Sequence, residues 1–187
     1  MARKIKYSAE DIVMQAFELA RKSGWSGLST TAVAKQIGCS TMPIYSHFKN
    51  LEELEHAVME KCWDLLMEYE AQKYTGDVWI DQSIGYVFFA RDENQLFRCM
   101  YDGRHLEKQR ELLLVNWEYL CSFLHEYLPF KDVDEEKLNQ LRFSRVMMTH
   151  GLASMVNLGW NLQIKEDEII IEKITSGSKT LLQGLHQ

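Results

Sequence analysis

The sequence predicts an all-α chain of about nine helices, with a small tri-helical head followed by a larger helical body. Three observations carry this. The 187 residues include only 2 prolines and 10 glycines, few breakers for such a length. Apolar residues recur at helical spacing, and no strand-like alternation is sustained anywhere. Residues suited to capping fall where the helical patterns begin and end. Hydrophobic residues at 46% and charged residues at 26% are ordinary globular values and exclude a disordered chain.

The first helix is announced by Ser8-Ala-Glu-Asp11, a capping box ahead of Ile12, Val13, Ala16, Phe17 and Ala20. Gly24 ends it as a left-handed cap, and Trp25-Ser-Gly27 forms a turn. Ser29 caps a second short helix with Val33, Ala34 and Ile37 on its inner face, and Gly38 stops it. Ser40 is read as the cap of a third, with Pro43 in its first turn, where a missing N–H costs nothing. Asn50 caps a fourth helix over 51–73, whose stripe is Leu54, Val58, Cys62, Leu65 and Tyr69.

After Gly76 come helices over about 78–91, 93–101 and 104–128, the last ending before Pro129. Phe130 to Val133 read as a loop. Asp134 caps a helix to about Asn161, and residues 166–187 form the final one. The domain reading is a head over 1–50 and a body over 51–187, with the fourth helix linking them.

Charge divides the same way. Residues 1–50 hold seven Lys/Arg against three acids, a net of +4, whereas the remainder nets −10. A basic head on an acidic body suits a head that meets a polyanion, although +4 is also compatible with plain solvation.

The strongest functional signal is the segment from Leu28 to His47. Two short helices joined at a glycine, packed on a first helix, are the tri-helical reader of DNA major grooves. Val33, Ile37, Ile44 and Phe48 are placed inside, against Phe17 and Ala20. The outer face then carries Ser40, Thr41, Met42, Pro43, Tyr45, Ser46 and His47. Hydroxyl and imidazole groups donate to phosphate or base edges, and Met42 and Pro43 can touch a thymine methyl. A three-helix core without any ligand is the plain alternative.

Residues 8–54 resemble the DNA-binding domain of the TetR family of bacterial transcriptional regulators. The resemblance rests on Ala16-Phe17-Glu-Leu19, Gly24, Leu28-Ser-Thr-Thr31, Val33-Ala34, Ile37-Gly38-Cys-Ser40, Ile44-Tyr45-Ser-His47-Phe48-Lys-Asn50 and Leu54. It implies that Thr30 and Thr31 contact phosphate and bases, that Thr41, Met42 and Pro43 read bases, and that Tyr45 and His47 clamp phosphate. It also implies a basic arm in Arg3, Lys4 and Lys6. One departure is Leu51, where the family usually has Lys. That change removes a phosphate contact worth roughly 1 kcal/mol, which Lys49 replaces in part.

In the body, Val146, Met147, Met148, Leu152, Ala153, Met155, Val156 and Leu158 nearly encircle their helix, which predicts burial on more than one side. Small residues there and in the last helix suit close helix crossings. The resemblance implies a four-helix homodimer interface, with Gly151, Met155, Leu158, Ile174, Gly177, Ser178 and Leu181 as candidates. The alternative is an ordinary intrachain core.

The middle helices concentrate aromatics and methionines, the materials of an apolar ligand pocket. The candidate lining is Tyr86, Phe89, Phe97, Met100, Tyr101, Trp117, Leu120, Phe143, Met147 and His150, for an unidentified apolar or aromatic small-molecule effector. Asn116, His150 and Asn157 are its candidate polar groups. Aromatics at this spacing also serve as plain core.

Enzyme and metal readings find no support in the sequence. H-E-x-x-H, G-x-G-x-x-G and G-x-S-x-G are absent, and Gly177-Ser-Lys-Thr180 lacks the upstream glycine and strand of a phosphate loop. The six histidines include no pair at i, i+3 or i, i+4, so no metal site and no cofactor is expected. Asp102-Gly-Arg-His105 reads as a turn. Four dispersed cysteines without C-x-x-C predict reduced packing thiols. No apolar run reaches the ~20 residues of a membrane span and no signal core follows the basic N-terminus, so a cytoplasmic protein is expected.

The reading is therefore a homodimeric transcriptional regulator, most simply a repressor, binding a palindromic operator in double-stranded DNA and released by an effector. The alternative is a co-regulator of the same fold acting through a protein partner.

Overall fold

The structure is a computed structural model that describes residues 7–124, 126–160 and 162–186. Its described residues form nine α-helices and no strand. These are α1 (Ala9–Gly27), α2 (Thr30–Ile37), α3 (Met42–Tyr45), α4 (Leu51–Glu70), α5 (Val78–Asp92), α6 (Asn94–Tyr101), α7 (Leu106–Ser122), α8 (Glu135–Leu158) and α9 (Asp167–Gln183).

Most helix ends follow the local chemistry. The Ser8 hydroxyl accepts from the Asp11 N–H at 3.1 Å, and the Asp11 carboxylate accepts from the Ser8 N–H at 2.9 Å. Ser29 accepts from the Ala32 N–H at 3.1 Å, and Asn50 from the Glu53 N–H at 2.8 Å. Gly38 and Gly159 close α2 and α8 at φ 76° and 70°, where a side chain would strain the backbone.

Some ends fall elsewhere. Ser40 does not cap α3. Thr41 holds the N-cap position, without a side-chain cap bond, and α3 stops at Tyr45. At Gly24 (φ 63°, ψ −168°) the backbone of α1 is non-helical, which breaks the helix where the glycine was expected to end it, and Trp25 to Gly27 form a further helical turn beyond the kink instead of a loop. The helix placed over 104–128 ends at Ser122, and Pro129 sits in a 3-10 turn, Leu128–Phe130. The helix placed to Asn161 ends at Leu158 because Gly159 caps it first; Asn161 itself lies outside the described residues.

The chain divides into two compact units. The first comprises the described residues through Asp64 together with Glu93–Leu112. Ile12, Ala16, Val33, Ile44, Leu54 and Val58 are fully buried in it. Its discontinuity departs from a head confined to 1–50. The cause is α6, which buries Leu96, Phe97, Cys99 and Met100 and packs on α1. The Trp25 indole N–H donates to the Cys99 carbonyl at 3.1 Å, and the Arg21 guanidinium grips the buried Glu93 carboxylate with two bonds. A pattern that marks α6 as amphipathic does not say which helix covers it.

The second unit comprises Leu65–Asp92 and the described residues from Leu113 onward. Its centre is α5, buried on all sides from Trp79 to Ala90 except at Tyr86, and packed on α8 and α9. Gly85 lets α5 meet the end of α4. A Cβ there would lie 2.2 Å from the Tyr69 carbonyl oxygen. The buried Asp81 carboxylate holds the preceding turn by accepting from the Thr75 N–H and hydroxyl, both at 2.7 Å, and the Gly76 N–H at 3.0 Å.

Candidate nucleic-acid interface

The face formed by α2 and α3 is built from the inside out. Val33, Ala34, Ile44 and Phe48 anchor the two helices in the core. Thr31, Ser40, Met42, Tyr45, Ser46 and Lys49 are left exposed, and Thr30, Thr41, Pro43 and His47 half-buried. Every expected contact residue that is described therefore lies outside the core. Arg3, Lys4 and Lys6 lie outside the described residues.

Several of these side chains are held in place. The Tyr45 phenol meets the Thr30 hydroxyl at 3.3 Å, joining the start of α2 to the end of α3. A His47 ring nitrogen, Nε2, meets the Tyr7 carbonyl at 3.1 Å. The Ser46 hydroxyl donates to the Pro43 carbonyl at 2.6 Å. Met42 is 77% exposed on the same face. The result is a small exposed face of hydroxyls, one phenol, one imidazole and one thioether, the chemistry that contacts phosphates and base edges. Beside it the first turn of α4 carries Glu52 and Glu53 after Leu51, and no cation.

The candidate pocket residues divide between the two units. Phe97, Met100 and Tyr101 belong to the first unit, and Tyr86, Phe89, Trp117, Leu120, Phe143, Met147 and His150 to the second. Phe89 and Leu120 are buried core residues, whereas Phe143 is 62% exposed. The Tyr86 hydroxyl lies 2.8 Å from His150 Nδ1 in the second unit, and the Phe97 and Tyr101 rings meet at a centroid distance of 4.9 Å in the first. Burial pushes the His150 imidazole below its usual range. Asn157 donates to the Ala90 carbonyl at 2.9 Å and serves packing.

The candidate dimer residues also divide. Ile174 and Ser178 are fully buried in the chain's own core, because α9 turns that stripe inward. Gly151, Met155 and Ile174 line an apolar surface groove of about 680 Å³ with Met147, Met148 and Leu152. Leu158 is 62% exposed, and Gly177 and Leu181 are half-buried.

Sequence reasoning missed one buried polar cluster in the second unit. Arg145 lies over the Trp79 ring at 4.1 Å and donates to the Gln82 side-chain carbonyl at 3.2 Å. Burial pushes the Glu70 carboxyl up to about 8 and the Arg145 guanidinium down to about 10. Arg145 and a hydrogen bond from Asn116 oppose the rise at Glu70 without cancelling it. Single charged residues inside apolar stripes were the available signal.

Among the described residues no disulfide forms. Burial pushes the Cys62 and Cys99 thiols well above their usual range, against the thiolate form. No described helix is long and apolar enough to cross a membrane.

No protein-family model matches the chain. An uncharacterised helix-turn-helix transcriptional regulator of Mycobacterium tuberculosis is 38% identical over 64 residues, which are 34% of this chain and 29% of that protein. The chain thus spans under a third of that relative's length. Three solved structures share the fold. A protein of unknown function from Rhodococcus sp. RHA1 superposes with a TM-score of 0.74 at 21% identity over the whole of both chains. A transcriptional regulator from the same organism gives 0.67 at 15%, covering 95% of this chain and 97% of that one. A proposed TetR-family transcriptional regulator from Rhodococcus sp. gives 0.64 at 14%, covering 93% and 97%.

Proposed function

We propose that this chain, which has the fold of the TetR-family transcriptional regulators, is itself a DNA-binding transcriptional regulator. The observation that carries the reading is the exposed α2–α3 face, with Tyr45 braced on Thr30 and the apolar side of both helices locked in the core. Thr30, Thr31, Thr41, Met42, Tyr45 and His47 are assigned to DNA, and Arg3, Lys4 and Lys6 to a basic arm. The protein reads a palindromic operator as a homodimer, with paired third helices about one helical turn apart or a multiple of it. The large apolar residues left exposed on α8, Phe143, Val146, Met147 and Leu158, support dimerisation through that helix. A small apolar or aromatic effector releases the operator by binding one of two conformations better than the other. The working place is the cytoplasm.

The test is selection of bound sequences from random duplex DNA, followed by a salt titration on the winner and sedimentation of the protein alone. A palindromic winner whose affinity falls steeply with salt, bound by a dimer, is the expected result. Absence of enrichment overturns operator binding. The acidic first turn of α4 after Leu51 supports the second reading, a co-regulator acting through a protein partner, which that outcome would bring forward.

A further inference from the structure

We infer that Glu52, His56 and His105 form a binding site for one divalent transition-metal ion of the zinc class. The inference does not depend on the operator reading. Glu52 and His56 are one helical turn apart on α4 and share a face. His105, just before α7, is carried to them by the fold of the first unit. One ligand atom from each of the three residues lies within 4.8 Å of the others. Tetrahedral zinc with bonds of about 2.0–2.2 Å needs its ligand atoms roughly 3.3 Å apart. The remaining closure is a side-chain adjustment, which exposed Glu52 and half-buried His56 can make.

The fixed member of the set is His105. Its side chain is 4% exposed, and its Nε2 lies 3.0 Å from an Oε2 of Glu55, itself 2% exposed. A neutral ring that donates from Nε2 to this carboxylate keeps its Nδ1 lone pair for a metal. This is the support that ligating histidines ordinarily receive. The ring is further held edge-on between Trp25 and His56, at centroid distances of 5.4 and 4.9 Å. Arg104 donates to the other Glu55 oxygen at 2.9 Å, so Glu55 is engaged on both sides and serves as a positioning residue, not a ligand. Two imidazoles and one carboxylate are a borderline N/O set. It suits Zn²⁺, Co²⁺ or Ni²⁺ over Ca²⁺ or Mg²⁺, and leaves a coordination position for water.

The experiment is a Co²⁺ titration of the full chain with its thiols reduced, read by visible absorption and followed by displacement with Zn²⁺. One equivalent should bind with a ligand-field band and no thiolate charge-transfer band. His56→Gln should weaken binding about 10–100-fold and Glu52→Gln about tenfold, with the circular dichroism of the parent. Glu55→Gln should weaken metal binding without changing the stoichiometry. His105→Gln is buried and also tests folding, so the surface variants decide. Binding no tighter than about 1 mM, a thiolate band, or parental affinity in His56→Gln overturns the site.

Discussion

The Tyr45 hydroxyl stands 3.3 Å from the Thr30 hydroxyl, and this contact ties the last turn of α3 to the first turn of α2. Both groups belong to the face assigned to DNA, so the bond orients a phosphate-reaching phenol before any partner arrives. Tyr45→Phe and Thr41→Ala should each weaken operator binding about five- to tenfold, the value of one hydrogen bond of about 1 kcal/mol. Both variants should sediment as the parent does. Parental affinity in both, measured by fluorescence anisotropy, would show that α3 does not face the groove.

The proposed basic arm makes a different prediction. Replacing Lys4 and Lys6 by Ala should reduce the slope of log affinity against log salt by about one to two, with unchanged sequence preference. A change in the selected sequence would instead place the arm on base edges.

Two glycines should respond oppositely to alanine. At Gly85 the new Cβ would lie 2.2 Å from the Tyr69 carbonyl oxygen and 2.8 Å from Glu70 Cα, both backbone atoms that move only with their helix. Gly85→Ala should cost about 1–3 kcal/mol or more in urea unfolding. At Gly151, inside α8, nothing lies within 4 Å of the new atom. Gly151→Ala should therefore stabilise the chain by about 0.5–1 kcal/mol. Loss of the proposed dimer in that variant would identify Gly151 as a close helix contact between protomers.

Glu70 predicts a pH dependence. Burial raises its carboxyl from 4.5 to about 8, so the native state keeps a proton that the unfolded chain releases above its ordinary range. Stability from this group is complete below about pH 4.5, falls as pH rises towards 8, and is lost above it. Glu70→Gln should flatten the fall between those limits in denaturant midpoints measured across pH. An equally steep fall in the variant would assign it to another group.

How much could be read in the chain differs by element. The Ser8–Asp11 box, the Ser29 and Asn50 caps, the left-handed Gly38 and the buried stripe through Val33, Ile44 and Phe48 were all legible, because each depends on residues within one or two turns. The exposed positions of α2 and α3 followed from that stripe. Ser40 failed as a cap because α3 is one turn long and starts a residue later. For the aromatics of the body, helical spacing says that a residue is buried and not which neighbour buries it. Phe97 and Phe89, alike in pattern, therefore belong to different units.

The sequence by itself determined the all-α class, most helix limits and the residues presented by the head. Those follow from caps, period and glycine conformation, which are local. Only the tertiary structure decided that residues 93–112 join the first unit, that Arg145 lies over the Trp79 ring, and that His105 meets Glu55 and His56. Each of these is a contact between segments far apart in the chain. Long-range packing selects such contacts from many partners of equal local merit, and a one-dimensional pattern carries no record of the choice.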